Sequence, residues 1–119
     1  MKKLFISCPM KGRTEEDIRK SMHRMHKMAE AAFDQELEVI PSYIEDHPPE
    51  NANQAVWYLG QSISLMANAD YFIGVHWDAD FTGCNIEADV ATHYGIPNCL
   101  IEIDIAAPEY VPTYKRNKD

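Results

Sequence analysis

The sequence contains no apolar run long enough to cross a membrane, no CxxC pair, no internal repeat, and no lysine or arginine between Asp34 and Tyr114. Each absence removes a class of protein. After Met1-Lys2-Lys3 come only about five apolar-leaning residues before Pro9, far short of a signal-peptide core or of the roughly 20 residues of a membrane span. Cys8, Cys84 and Cys99 are odd in number and unevenly spaced, which argues against a disulfide framework and a zinc ribbon and predicts a reducing, cytoplasmic setting. Of eleven basic residues, eight lie between Lys2 and Lys27 and three in the tail (Lys115, Arg116, Lys118), while the basic-free stretch holds fourteen carboxylates and the net charge is −8. A protein that binds a nucleic-acid duplex needs a row of cations against the phosphates, so a chain this acidic argues against DNA or RNA as a partner. A small molecule with at most one phosphate is compatible.

What is present is an ordinary composition, 119 residues with 45% hydrophobic and 25% charged, enough to bury one core and read as one domain over residues 1–119. Leu4-Phe5-Ile6-Ser7-Cys8 is a short apolar run stopped by Pro9 and Gly12, the pattern of a buried strand entering a loop. Thr14 offers an N-cap with Glu15, Glu16 and Asp17 behind it, and Ile18, Met22, Met25, Ala29 and Ala32 follow at helical spacing. They predict one amphipathic helix of about twenty residues. Residues 36–41 alternate as a second strand. Residues 42–53 carry Pro48, Pro49 and three carboxylates, a loop long enough to wall a site. Ala52, Val56, Leu59, Ile63 and Met66 mark a second helix, residues 71–75 a third strand, Ile86, Val90 and the stop at Gly95 a third helix, and residues 98–103 a fourth strand. The tail from about residue 107, with two prolines and a charged end, is assigned no regular element.

Alternation of strand and helix requires parallel pairing through right-handed crossovers. The expected fold is therefore α/β, a small doubly wound, flavodoxin-like parallel sheet of four to five strands with helices on both faces. Ligands in such folds bind beyond the carboxyl ends of the strands, near the switch in strand order. Three loops, residues 9–13, 42–53 and 76–83, are fed by those ends.

The segment from Gly74 to Gly95 runs from a strand through a polar loop into a helix, with Glu87 placed near the helix start. There the positive end of the dipole favours an ionised carboxylate, the form a glycosidic nucleophile needs. The bland alternative is a glutamate that merely caps. His23 and His26 with Met22, Met25 and Met28 have a copper-like look, but Arg24 and Lys27 intervene, and the methionines fit packing. Asp78 and Asp80 form a DxD pair of a kind common in loops. Neither a metal nor a cofactor is expected.

The strand, the loop containing Trp77, Gly83, then Glu87, Ala88, Ala91 and Gly95, together with Phe5-Ile6-Ser7-Cys8-Pro9-Met10-Lys11-Gly12 and Leu65-Met66-Ala67-Asn68-Ala69-Asp70, resemble the nucleoside 2-deoxyribosyltransferase superfamily. The likeness covers roughly residues 3–103 and is nearest to a small, often phage-associated branch related to the 2'-deoxynucleoside 5'-phosphate N-hydrolases. It implies Glu87 as the nucleophile that attacks the anomeric carbon and releases the base. It further implies leaving-group assistance from Asp80, Asp78 or His76, and a substrate contacted by Ser7, Pro9, Met10, Lys11, Gly12, Arg13, Ser62, His76, Trp77 and Gly83. Lys11 stands where the N-hydrolase relatives carry an arginine, and with Arg13 and the first helix N-terminus it is placed to hold a phosphate. Trp77 is suited to stacking on a base, or to packing against the sheet rim.

The chain departs from the family pattern at three places. Ser62 replaces an aspartate, Phe5 a first-strand tyrosine, and Phe81 an aspartate six residues before the nucleophile, with Asp80 one residue away. The first expectation is an enzyme acting at the N-glycosidic bond of a (deoxy)nucleoside or its 5'-monophosphate. The alternative, motivated by Ser62 and Phe5, is a non-catalytic module that binds or sequesters a nucleotide. Family members form oligomers, and Trp57, Tyr58 and Leu59 in one helical turn add apolar surface, so a homo-oligomer is expected.

Overall fold

Strand β1 (Lys2–Ile6) is central because alternate residues make both of its faces apolar: Leu4 and Ile6 join one core cluster and Phe5 the other. In the computed structural model, which describes residues 1–42 and 44–116, β1 pairs in parallel with β2 (Leu37–Val39) and with β3 (Tyr71–Val75). A fourth strand, β4 (Asn98–Ile101), pairs with β3, so the order is β2-β1-β3-β4. The chain steps outward from β1 to β2, crosses back over β1 to β3, and continues to β4. Right-handed crossovers then put α1 (Glu15–Phe33) on one face and α2 (Gln54–Met66) and α3 (Thr82–His93) on the other. The fold is α/β, as the alternation of elements predicts.

The cap of α1 is the one expected, and α2 starts at Gln54, after an Asn53 cap, rather than at Ala52. The Thr14 hydroxyl accepts from the Asp17 N–H at 3.1 Å, and Asn53 Oδ1 accepts from the Val56 N–H at 3.1 Å, each satisfying a helix donor that would otherwise lack a partner. Ser21, Met25 and Ala29 form the buried stripe of α1, packing on Leu4, Ile6, Ile73 and Val75. On the other face Phe5 and Phe72 stack at 5.9 Å beneath Met66, Ala88 and Ala91.

Four expectations change. The second strand spans only Leu37–Val39 rather than residues 36–41. The first strand ends at Ile6 rather than residue 8, although the Ser7 N–H still bonds the Ile73 carbonyl at 2.8 Å. The fourth strand stops at Ile101, and α4 (Ile103–Ala106) follows it, because the Ala106 carbonyl turns in to accept from Ser21 Oγ and Arg24. The tail is not irregular throughout, since Thr113–Arg116 form a short helix α5; Lys118 lies outside the described residues. Among the described residues, no helix is long and apolar enough to cross a membrane.

Candidate functional site

The switch in strand order lies between β1 and β3, where α1 leaves toward one face and α3 toward the other. The two chains diverge there and open a cleft of about 1070 Å³. The end of β1, the turn after it, α2, the start of α3 and the loop before α2 all contribute to its lining.

Glu87 lines this cleft and is 9% exposed. Ser7, one residue past β1, donates its hydroxyl to Glu87 Oε1 at 2.7 Å, and Ser62 on α2 lines the same cleft close to that carboxyl. The expectation of a carboxylate at the helix start is corrected. Helix α3 begins at Thr82, so Glu87 lies in its second turn, beyond the first turn in which the dipole acts. Burial instead pushes the Glu87 carboxyl above its ordinary value, opposed by the hydrogen bonds from Ser7 and Ser62. Two thiols share the site. Burial pushes Cys8 up to about 11 and Cys84 up to about 12, so both are neutral thiols at pH 7 and poor nucleophiles. Glu87 is the better candidate for covalent chemistry on this ground.

The loop from β3 to α3 is built differently from the expectation. Asp78 is 7% exposed and does not line the cleft. Its Oδ1 accepts from the Asp80 N–H at 2.9 Å, while its backbone exchanges two hydrogen bonds with the Asn85 side chain, at 3.1 and 2.9 Å. Asp78 and Asn85 thereby order the start of α3, whose N-cap residue Phe81 makes no side-chain bond. Asp80 does line the cleft, but its carboxylate accepts from the Tyr110 hydroxyl, the Thr113 N–H (2.9 Å) and the Thr113 hydroxyl (2.7 Å). His76 sits on the rim, 3.6 Å from Glu102, and Trp77 is 75% exposed. Neither lines the cleft.

The turn after β1 divides in the same way. Met10 and Lys11 face the cleft, whereas Pro9, Gly12 and Arg13 do not. Gly12 sits at φ +74, where a side chain would be strained, and this lets the chain double back into α1. The Arg13 side chain is 2% exposed and pairs with Glu109. Its guanidinium also donates to the Pro9 carbonyl at 2.7 Å and to Ser21 Oγ at 2.6 Å. Arg13 therefore pins the C-terminal segment to the first loop and is not available to a ligand in the cleft. Its partner stands 96 positions away, a pairing no local motif signals. Arg19, one turn into α1, lines the cleft in its place, as do Tyr58, Leu59 and His47. For Arg19 the spacing from Glu15, its ion-pair partner at 3.7 Å, was a readable signal. Gly83 also lines the cleft.

His26 is committed to the junction of α1 and β2, with Nε2 2.8 Å from the Leu37 carbonyl. Among the described residues no group of three or more His, Cys, Asp or Glu side chains is placed to hold a metal ion. No protein-family model matches the chain, and neither curated proteins nor solved structures give a match.

Proposed function

We propose that the protein acts at the N-glycosidic bond of a (deoxy)nucleoside or its 5'-monophosphate, with Glu87 as nucleophile, as its resemblance to the nucleoside 2-deoxyribosyltransferase superfamily implies. The observation that carries this reading is a buried carboxyl held by the Ser7 hydroxyl, with Ser62 beside it, on the wall of the cleft at the switch point. A desolvated carboxylate is a stronger nucleophile than a hydrated one and stabilises positive charge developing at the anomeric carbon. Its oxygen attacks that carbon while the electron pair of the C–N bond leaves with the base, which takes a proton from water. A second water then opens the glycosyl ester, transferring its hydroxyl to the sugar and returning the proton and the carboxylate. Where a second base accepts the sugar instead, the reaction is a transfer.

Because Arg13 is committed to Glu109, a phosphate on the substrate is met by Lys11 and Arg19, the lysine and arginine on the cleft lining. Three free thiols suit the reducing cytoplasm. On α2, Val56 is 63% exposed and Tyr58 38%, and a second copy of the chain is the partner proposed to cover them; light scattering that returns a 13.6 kDa species ends that part of the reading.

The test is to incubate the protein with a panel of deoxynucleosides, nucleosides and their 5'-monophosphates and follow free base by chromatography. Base release that Glu87→Gln abolishes supports the reading; release unaltered by Glu87→Gln removes Glu87 from it. A second reading, a non-catalytic nucleotide-binding module, is favoured by the commitment of Asp78 and Asp80 to structural bonds. It predicts a melting shift with nucleotide and no turnover.

A further inference from the structure

Glu87 is held by one neutral hydroxyl and approached by a second from another element. Ser7 is 2% exposed, and its main chain is fixed by the N–H bond to the Ile73 carbonyl. It lies on the same face of the chain as Phe5, two residues earlier. On the neighbouring strand stands Gly74, where an added Cβ would come within 2.7 Å of the Phe72 ring and 3.5 Å of Ser7 Cβ. With no side chain there, the space beside Ser7 stays free of competition from β3. Its hydroxyl donates to Oε1 at 2.7 Å, and Ser62 approaches the same carboxyl from α2. Hydrogen bonds to an ionised acceptor are stronger than those to a neutral one.

We propose that Ser7 is a positioning residue for Glu87, acting through the carboxyl's charge: its hydroxyl, with that of Ser62 beside it, favours the carboxylate that attacks the anomeric carbon. The proposal rests on the glycosidic reading of the site. The titratable groups nearby are the neutral thiols of Cys8 and Cys84, then Lys11, Glu15 and Arg19 from the α1 side. Glu45 and His47 of the long loop, Tyr58 of α2 and Asp80 complete the cleft wall. Glu87 is buried and its observed hydrogen-bond donor is Ser7, so the serine hydroxyls beside it are where its charge state is adjustable.

The test titrates Glu87 by carbon NMR in glutamate-labelled protein, for wild type, Ser7→Ala and Ser62→Ala, beside the pH profile of base release. Ser7→Ala is expected to move the Glu87 titration to higher pH. It also lowers kcat/KM at mildly acidic pH by about ten-fold, while the alkaline plateau changes by less than about two-fold. Ser62→Ala shifts both in the same direction, and Ser7→Cys, with a weaker donor, falls between wild type and Ser7→Ala. If Ser7→Ala does not fold, the other two variants carry the same measurement. An unmoved titration with equal loss at every pH overturns the proposal, since Ser7 then only packs. A moved titration in a protein that releases no base from any member of the panel overturns the glycosidic reading and Ser7's part in the attack, leaving only its hold on the carboxyl.

Discussion

The two faces of the sheet are finished to different degrees. On one, α1 packs Met25 and Ala29 at 0% exposure onto both central strands, turns ion-paired charges to solvent, and is tied to α4 through Ser21 and Arg24. On the other, α2 has no charged residue in Gln54–Met66, yet buries only Met66. Amphipathic helices gain their stability by burying one apolar stripe, so α1 is a completed element. Helix α2 is apolar without being covered, and its inner side, with Tyr58, Leu59 and Ser62, forms a cleft wall. The closed face carries stability, and the open face carries most of the candidate site, to which α1 adds its first turns through Glu15, Ile18 and Arg19.

The sharpest way to test that division is Glu87→Gln, which should lower base release by on the order of 10⁴-fold and yet raise the melting temperature at neutral pH. The sign follows from linkage. Burial raises the Glu87 value above its ordinary 4.5, so the folded state binds this proton more tightly than the unfolded chain does. That contribution to stability is complete below the unfolded value and is lost as pH rises through the folded one. The advantage of the glutamine should therefore appear above the folded value and vanish below about pH 4.5; an advantage independent of pH would mean the carboxyl is not destabilised by burial. Next in size, Met25→Ala on the closed face should cost about 2–5 kcal/mol in denaturant unfolding, and a loss under 1 kcal/mol would show that this face is not the source of stability.

The segment that straps the carboxyl edge should give a smaller effect. Glu109→Gln removes the charge partner of a buried guanidinium, but Glu109 itself is 38% exposed, so solvent screening reduces the loss to about 1–2 kcal/mol. KM for a 5'-monophosphate should not change, because Arg13 faces away from the cleft; a rise in KM would bring Arg13 back as a phosphate ligand. Smallest of all, Val56→Ser on the open face should leave the stability of the subunit within about 0.5 kcal/mol, and a larger loss in a dissociated subunit would show that α2 is covered from within the chain.

Most of the fold was legible in the sequence, because the features that define its elements act over a few residues. Thr14 announced α1, while Tyr71–Val75 is the strand its apolar run predicts. The ends of elements were less legible where long-range bonds decide them, as at Ala106. At the site, the order of elements placed loops 9–13 and 76–83 at the carboxyl edge, whereas Glu87 was named through the resemblance and stands a turn deeper in α3 than its reading at the helix start. The roles of Asp78, Asp80 and Arg13 were not legible, since a loop carboxylate or guanidinium reads the same whether it faces a ligand or a distant stretch of its own chain.

Alternation of strand and helix by itself determined a parallel α/β fold and where its binding edge lies, because parallel pairing demands crossovers and crossovers demand helices. Only the tertiary structure decided which polar groups at that edge remain open to a ligand. Ser7 reaches Glu87 across 80 positions, Arg13 reaches Glu109 across 96, and Asp80 reaches Thr113 across 33. Such pairings arise when strand order brings loop ends together, and they leave no periodic trace in the sequence.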